Sequence, residues 1–212
     1  MKSLFSQDGP VIRLLSTLTD LIFLNLLWLV CSLPVVTIGA STTACYYVCL
    51  RMIRGEYAVA KDFFRAFRQN FKQATCLWLI LALLGVFLAF DFTFMEVVYF
   101  DGQDILKVVL MMISALCIFT ALYAFPLLAQ FENTLKKTLQ HAILLSFKHI
   151  WKTIIMVLVF VLLIDVFLFF PAFVLRTAII WVLYAVSAPV YLCCLTLKPV
   201  FAPYLAETEM EG

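Results

Sequence analysis

The chain has 212 residues, 65% of them hydrophobic and 13% charged, with a mean hydropathy of +1.07. Soluble domains carry about 25% charged residues, so a single water-exposed fold could not bury this apolar fraction and lipid is the expected solvent. A net charge of +2 excludes a nucleic-acid-binding surface of the usual strongly basic kind, and where the charges fall matters more than their sum.

Residues 1–11 are short and mixed and read as a frayed cytoplasmic start. No secretory signal is expected there, because the first apolar run is too long and leads straight into a second apolar helix. Residues 11–33 form the first predicted span, interrupted only by Arg13 and Asp20. No charge occurs from Leu21 to Leu50. Pro34 lies inside that run and must end or kink a helix, since it lacks an N–H and clashes with the preceding turn. Gly39 supplies a permissive backbone, and Ser41 or Thr42 can cap a new helix. A short second span is expected over 41–54, closed by Arg51, Arg54 and Gly55.

Residues 60–72 place apolar side chains on one helical stripe, with Lys61, Arg65, Arg68 and Lys72 off it. That is the pattern of an amphipathic helix resting in the interface. Further spans are predicted at 73–95, 107–131, 153–175 and 177–197. A second interfacial helix is predicted at 133–150, where Leu135, Leu139, Ile143 and Phe147 repeat every four residues. The tail from Lys198, with Pro199 and Pro203, reads as polar and mobile. The fold class is therefore an all-α, polytopic membrane bundle in one domain, with about six spans and two cytoplasmic amphipathic helices. The alternative is five spans, with residues 11–50 as one kinked crossing and the N-terminus outside. A shift of 80 residues aligns Phe67-Arg68 with Phe147-Lys148 and Gly85–Phe90 with Asp165–Phe170, which suggests an internal repeat.

Lysine and arginine mark the cytoplasmic side. In the six-span reading only Lys107 and Arg176, of 15 basic residues, fall outside, and the second outer loop carries Asp91, Glu96, Asp101 and Asp104. This asymmetry implies a multi-pass protein of the cell membrane with both termini in the cytoplasm.

Chemistry-bearing residues are few. No GxSxG, Walker A, HExxH or paired-carboxylate pattern occurs, so neither a catalytic group nor a cofactor is expected and the chain is read as non-enzymatic. Cysteines 31, 45, 49, 76, 117, 193 and 194 lie almost entirely in apolar runs and read as packing thiols. His141 and His149 have no companion at metal-ligand spacing. Asp165 sits in mid-span, where a carboxylate is costly and a functional role is the default hypothesis. Asp20 lies nearer an end and can face water or pair with Arg13. Asn25 reads as helix–helix glue before it reads as a ligand group. The foremost candidates for contact with lipid or a partner are the basic residues of the two amphipathic helices and their surroundings: Arg51, Arg54, Lys61, Arg65, Arg68, Lys72, Lys148 and Lys152.

The stretch Leu27–Ala44 (LWLVCSLPVVTIGASTTA), then Tyr46-Tyr47 and the basic Phe-rich segment through Asn70-Phe71-Lys72-Gln73-Ala74, resembles the YesL-like family. These are bacterial membrane proteins built from a domain of unknown function, and their genes lie beside those for ABC-type sugar importers and glycoside hydrolases. The resemblance implies a non-enzymatic accessory role in carbohydrate uptake or use, with an ABC-type sugar importer as partner and no nucleic acid. It implies no catalytic residue. An independent small-solute transporter or channel, with Asp165 lining its path, is the alternative, and an intramembrane enzyme ranks below both.

Overall fold

Pro34 ends the first helix as expected, and the chain around it sets the architecture. The computed structural model describes residues 10–98, 102–131 and 133–210. Residues 1–9, Asp101 and residues 211–212, for which the sequence raised expectations, lie outside the described residues. Helix α1 (Pro10–Cys31) leads through a single 3-10 turn, Val35–Thr37, into α2 (Ile38–Arg54). Thr37 fastens the turn by placing its hydroxyl 2.6 Å from the Cys31 carbonyl and 2.7 Å from that of Pro34. Residues 32–37 thus separate α1 from α2.

Neither Ser41 nor Thr42 caps α2. The helix starts earlier, and Ser41 and Thr43 donate instead to the carbonyls of Thr37 and Gly39 one turn back, the bond a helical hydroxyl makes when it points into its own turn. Gly39 is inside the helix, not at a break. A Cβ there would overlap the Ala74 carbonyl and the Trp78 side chain, so the glycine lets α2 and α3 touch backbone to backbone. Gly55 ends α2 at φ 85°, the left-handed conformation that glycine adopts without steric cost.

Helix α3 runs unbroken from Val59 to Val97, 39 residues and about 58 Å at 1.5 Å per residue. This corrects the expectation of a separate interfacial helix at 60–72. Phe63 and Ala74, on the expected apolar stripe, are buried, whereas Phe64 and Phe71 of the same stripe are exposed, and α2 is the element that α3 packs against most extensively. Protein covers only part of the stripe, the side that faces α2.

After α4 (Gln103–Gln130), the second amphipathic segment is a separate element, α5 (Leu135–Lys148). The chain continues as α6 (Ile150–Phe169), α7 (Pro171–Arg176), α8 (Ala178–Tyr184) and α9 (Ser187–Met210). The segments aligned by the 80-residue shift therefore differ, since α3 is continuous where α5 and α6 part at His149. The tail is not loose from Lys198 onward. Helix α9 continues through Pro199 and Pro203, and Leu197, Val200 and Phe201 are in the core.

Among the described residues four helices are long and apolar enough to cross a membrane: α1, α3, α4 and α6. The pair α8 and Ser187–Tyr204, bent by 44°, brings the number to five only where it is counted as one broken span and not as a re-entrant loop. Helix α2 has 17 residues, about 26 Å, against roughly 30 Å of hydrocarbon. It is the hub, touching α1, α3, α4 and α9. Side chains such as Leu83, Ile105, Met112 and Leu168 are more than two-thirds exposed, as expected of surfaces solvated by lipid.

Candidate functional site

The charged end of α2 is held by Arg51 and by a buried carboxylate, Asp62, that no sequence pattern singles out. Asp62, 3% exposed, accepts from Arg51 Nη1 at 3.0 Å and from the Ala58 amide at 2.8 Å. Arg51 Nε also donates to the Glu56 carbonyl at 2.7 Å, and the guanidinium lies 6.0 Å from the centre of the Tyr47 ring. Asp62 satisfies the start of α3, and Arg51 ties it to the end of α2. Arg65, one turn further along α3, stands 4.0 Å from the same carboxylate and is nearly half exposed. Arg54 donates to the side-chain oxygen of Gln130 and so ties the end of α2 to the end of α4.

Beside this clamp lies a polar cleft of about 750 Å³. One wall is α3, presenting Arg65, Gln69 and Gln73 at successive four-residue steps together with Asn70. The other is the α4–α5 connection, with Gln130, Asn133 and Thr134, and Tyr47 of α2 also lines it. A smaller space of about 230 Å³ shares Tyr47 and Gln130 and reaches Arg51, Arg54 and Glu56. Sequence reasoning misses the carboxamides because neutral amides register in neither a charge nor a hydropathy pattern. The available signal is their position: Gln73 immediately precedes the apolar run of α3 and Gln130 ends that of α4.

The predicted contact residues do not share one environment. Arg51 and Arg54 are structural ties, and Arg65 lines the cleft. Lys148 reaches α9, with Nζ 3.0 Å from the Tyr204 hydroxyl and 5.5 Å from the ring centre. Lys61, Arg68 and Lys72 are exposed on α3, while Lys152 is half-buried near the start of α6.

Of the intramembrane polar candidates, Asp20 does not pair with Arg13. It accepts from the Tyr57 hydroxyl at 2.6 Å and from Ser16 at 3.4 Å. The hydrogen bond to Asp20, with burial adding to it, pushes the Tyr57 phenol above its ordinary range. Asn25 is glue in a specific sense. Its amide donates to Val182 at 2.8 Å and accepts from the Val186 and Ser187 amides at 3.0 and 2.9 Å, serving the backbone groups freed where α8 bends into α9. Asp165 is half-buried on α6 and pairs with no other described residue.

Two apolar crevices adjoin on α4. One, of about 420 Å³, lies between α4, α6 and α9. The other, of about 350 Å³, lies between α3 and α4. Cys45, Cys49, Cys193 and Cys194 are buried free thiols on α2 and α9. Among the described residues no three His, Cys, Asp or Glu side chains are grouped as metal ligands would be.

A bundle of long apolar helices around a short buried hub, with a carboxamide-lined cleft at its basic end, defines a class of multi-pass helical membrane protein. Comparison narrows the class. Residues 21–92 match a family described as Protein of unknown function, DUF624. The chain is 27% identical over 171 residues to the uncharacterized protein YteU of Bacillus subtilis strain 168, spanning 78% of this chain and 77% of that one. It is 28% identical over 141 residues to the uncharacterized protein YesL of the same organism, spanning 64% and 66%. The resemblance to the YesL-like family is thereby borne out. No solved structure matches the chain significantly.

Proposed function

We propose that this chain is a non-enzymatic membrane accessory of carbohydrate uptake or utilisation, acting from the cytoplasmic face on an ABC-type sugar importer. The sugar link rests on the YesL-like resemblance alone. What the geometry contributes is the exposed row Lys61, Arg68 and Lys72 on α3, fixed beside a cleft whose described lining is rich in hydrogen-bonding amides. That lining suits holding a partner or ligand more than moving a proton or forming a covalent bond. The cell membrane is the proposed location, with both termini in the cytoplasm.

The test is a pull-down of the tagged full chain from cells growing on a complex polysaccharide, cross-linked before extraction in mild detergent. Stoichiometric recovery of an importer permease is expected. Neutralising Lys61, Arg68 and Lys72 together should abolish that recovery while leaving the protein folded, since none of the three is buried. Recovery of the protein alone as a discrete oligomer would count against the reading. It would favour an independent carrier, for which the specific observation is Asp165, a half-buried carboxylate on an otherwise apolar length of α6 with no described partner. Asp165→Asn should then abolish growth on the transported solute, whereas an accessory protein should tolerate it.

A further inference from the structure

The polar cleft between α3 and the α4–α5 connection has a chemistry of its own. Asp62 is one buried carboxylate facing two guanidiniums. Arg51 takes it at 3.0 Å, and Arg65 stands off at 4.0 Å with its side chain nearly half exposed. The trio thus carries one uncompensated positive charge, and Arg65 is the member free to meet a ligand. An arginine presented this way favours a phosphate or carboxylate.

The amides around it are already oriented. The Gln130 oxygen receives Arg54, so its amino group remains to donate. The Asn70 amino group donates to the Ala66 carbonyl at 3.2 Å, so its oxygen remains to accept. Gln69 and Gln73 make no hydrogen bond to another described residue and offer both. Donors and acceptors set side by side match hydroxyl groups, which need one of each.

The height of the cleft points the same way. Gln73 stands at the foot of the apolar run of α3 and Gln130 at the end of that of α4. The cleft therefore lies where two crossing helices leave the apolar layer, which is the level of lipid head groups. At about 750 Å³ it has room for such a group.

We propose that this cleft binds a phosphate group carrying neighbouring hydroxyls, with the phosphate on Arg65 and the hydroxyls on the carboxamides, and that an anionic phosphoglycerol head group supplies it. The same chemistry occurs in a free glycerol phosphate, and the experiment separates the two.

The full chain, purified in a neutral detergent, is titrated with short-chain phosphatidylglycerol, with phosphatidylcholine of the same chain length and with glycerol 3-phosphate. Binding is read from the rise in thermal unfolding midpoint. Phosphatidylglycerol should raise the midpoint and phosphatidylcholine should not. Arg65→Gln should weaken the response about tenfold or more, the order expected for losing one charge-assisted hydrogen bond. Arg65→Lys should retain part of it. The exposed Gln69→Ala is a second reporter whose loss does not threaten the fold. Lys61→Gln removes a charge from the same helix outside the cleft and should change little. Equal losses in Lys61→Gln and Arg65→Gln would mean diffuse attraction to a basic surface and would overturn the site, as would equal responses to the two lipids. Glycerol 3-phosphate binding as tightly as the lipid would overturn the head-group assignment and leave a soluble phosphate as the ligand.

Discussion

Asn25 shows what one polar side chain does in an apolar bundle. It is 1% exposed, and its three bonds meet one carbonyl and two amides where α8 ends and α9 begins. Those groups sit at the bend, and a buried amide without a partner costs about 1–3 kcal/mol. Asn25→Leu keeps the branched skeleton and removes all three bonds, so the α8–α9 corner should loosen. A loss of several degrees in thermal midpoint is expected, with faster proteolysis or hydrogen exchange around residues 182–187. A variant as stable and as protected as the parent would show that the three bonds contribute nothing net. Reading Asn25 as glue needs only the sequence, because a carboxamide inside a span needs partners. That its partner is a bent helix far along the chain is invisible there. Asp20 goes the other way. Arg13 is its visible neighbour along the helix, but Tyr57 arrives from the α2–α3 connection, a contact that no local spacing encodes.

At the scale of elements, the change from basic to uncharged at residue 72 marks a change of environment but not a change of helix. No glycine or proline lies between Val59 and Gly85, so nothing in the backbone interrupts α3 there. Conversely, Pro199 and Pro203 look like a stop, although Leu197, Val200 and Phe201 keep helical spacing across Pro199 and are buried together. The packing of that stripe outweighs the lost amide bonds.

The break between α5 and α6 occurs at His149, whose backbone (φ −118°, ψ 46°) leaves the helical region. Thr153 steadies the joint, its hydroxyl lying 2.8 Å from the Ser146 carbonyl and 3.1 Å from the Tyr123 hydroxyl. Burial, then the charges of Lys152 and Lys148, pull His149 below the ordinary histidine range, which centres near about 6.5. A base with a lowered folded-state value binds its proton more weakly than the unfolded chain does. Its contribution to stability is therefore present above about pH 6.5 and is lost as the pH falls from there through the lowered folded-state value. The thermal midpoint should drop on acidification from neutral to mildly acidic pH, and the drop should be smaller in His149→Gln. Parallel pH profiles for the two proteins would rule out this histidine as a source of the acid sensitivity.

The whole molecule joins two gradients that the sequence displays separately. One is hydropathy. The long helices α1, α3, α4 and α6 expose leucine, isoleucine and phenylalanine on their flanks, while the short α2 is enclosed by its neighbours. This order is only partly legible, because a run of apolar residues looks the same whether protein or lipid covers it. Composition alone ranks α2 among the spans, and only its contacts show it as the hub. The other gradient is charge. Arg51, Arg54, Arg65 and Gln130 meet at one end of the α2–α3–α4 unit, and the acidic Asp104 begins α4 at the opposite end of its 28 residues. If the basic end faces the cytoplasm, α4 must cross fully, so that positions 104 and 136 lie on opposite sides. Both side chains are exposed, so a single cysteine at either should be tolerated. With a membrane-impermeant maleimide and the unsubstituted protein as background, Asp104→Cys should label in intact cells and Lys136→Cys only after permeabilisation. The reverse pattern would invert the molecule and put the carboxamide cleft outside, beyond reach of any cytoplasmic partner. Labelling of both from one side would mean that α4 does not cross, and the cleft could then no longer sit at the head-group level.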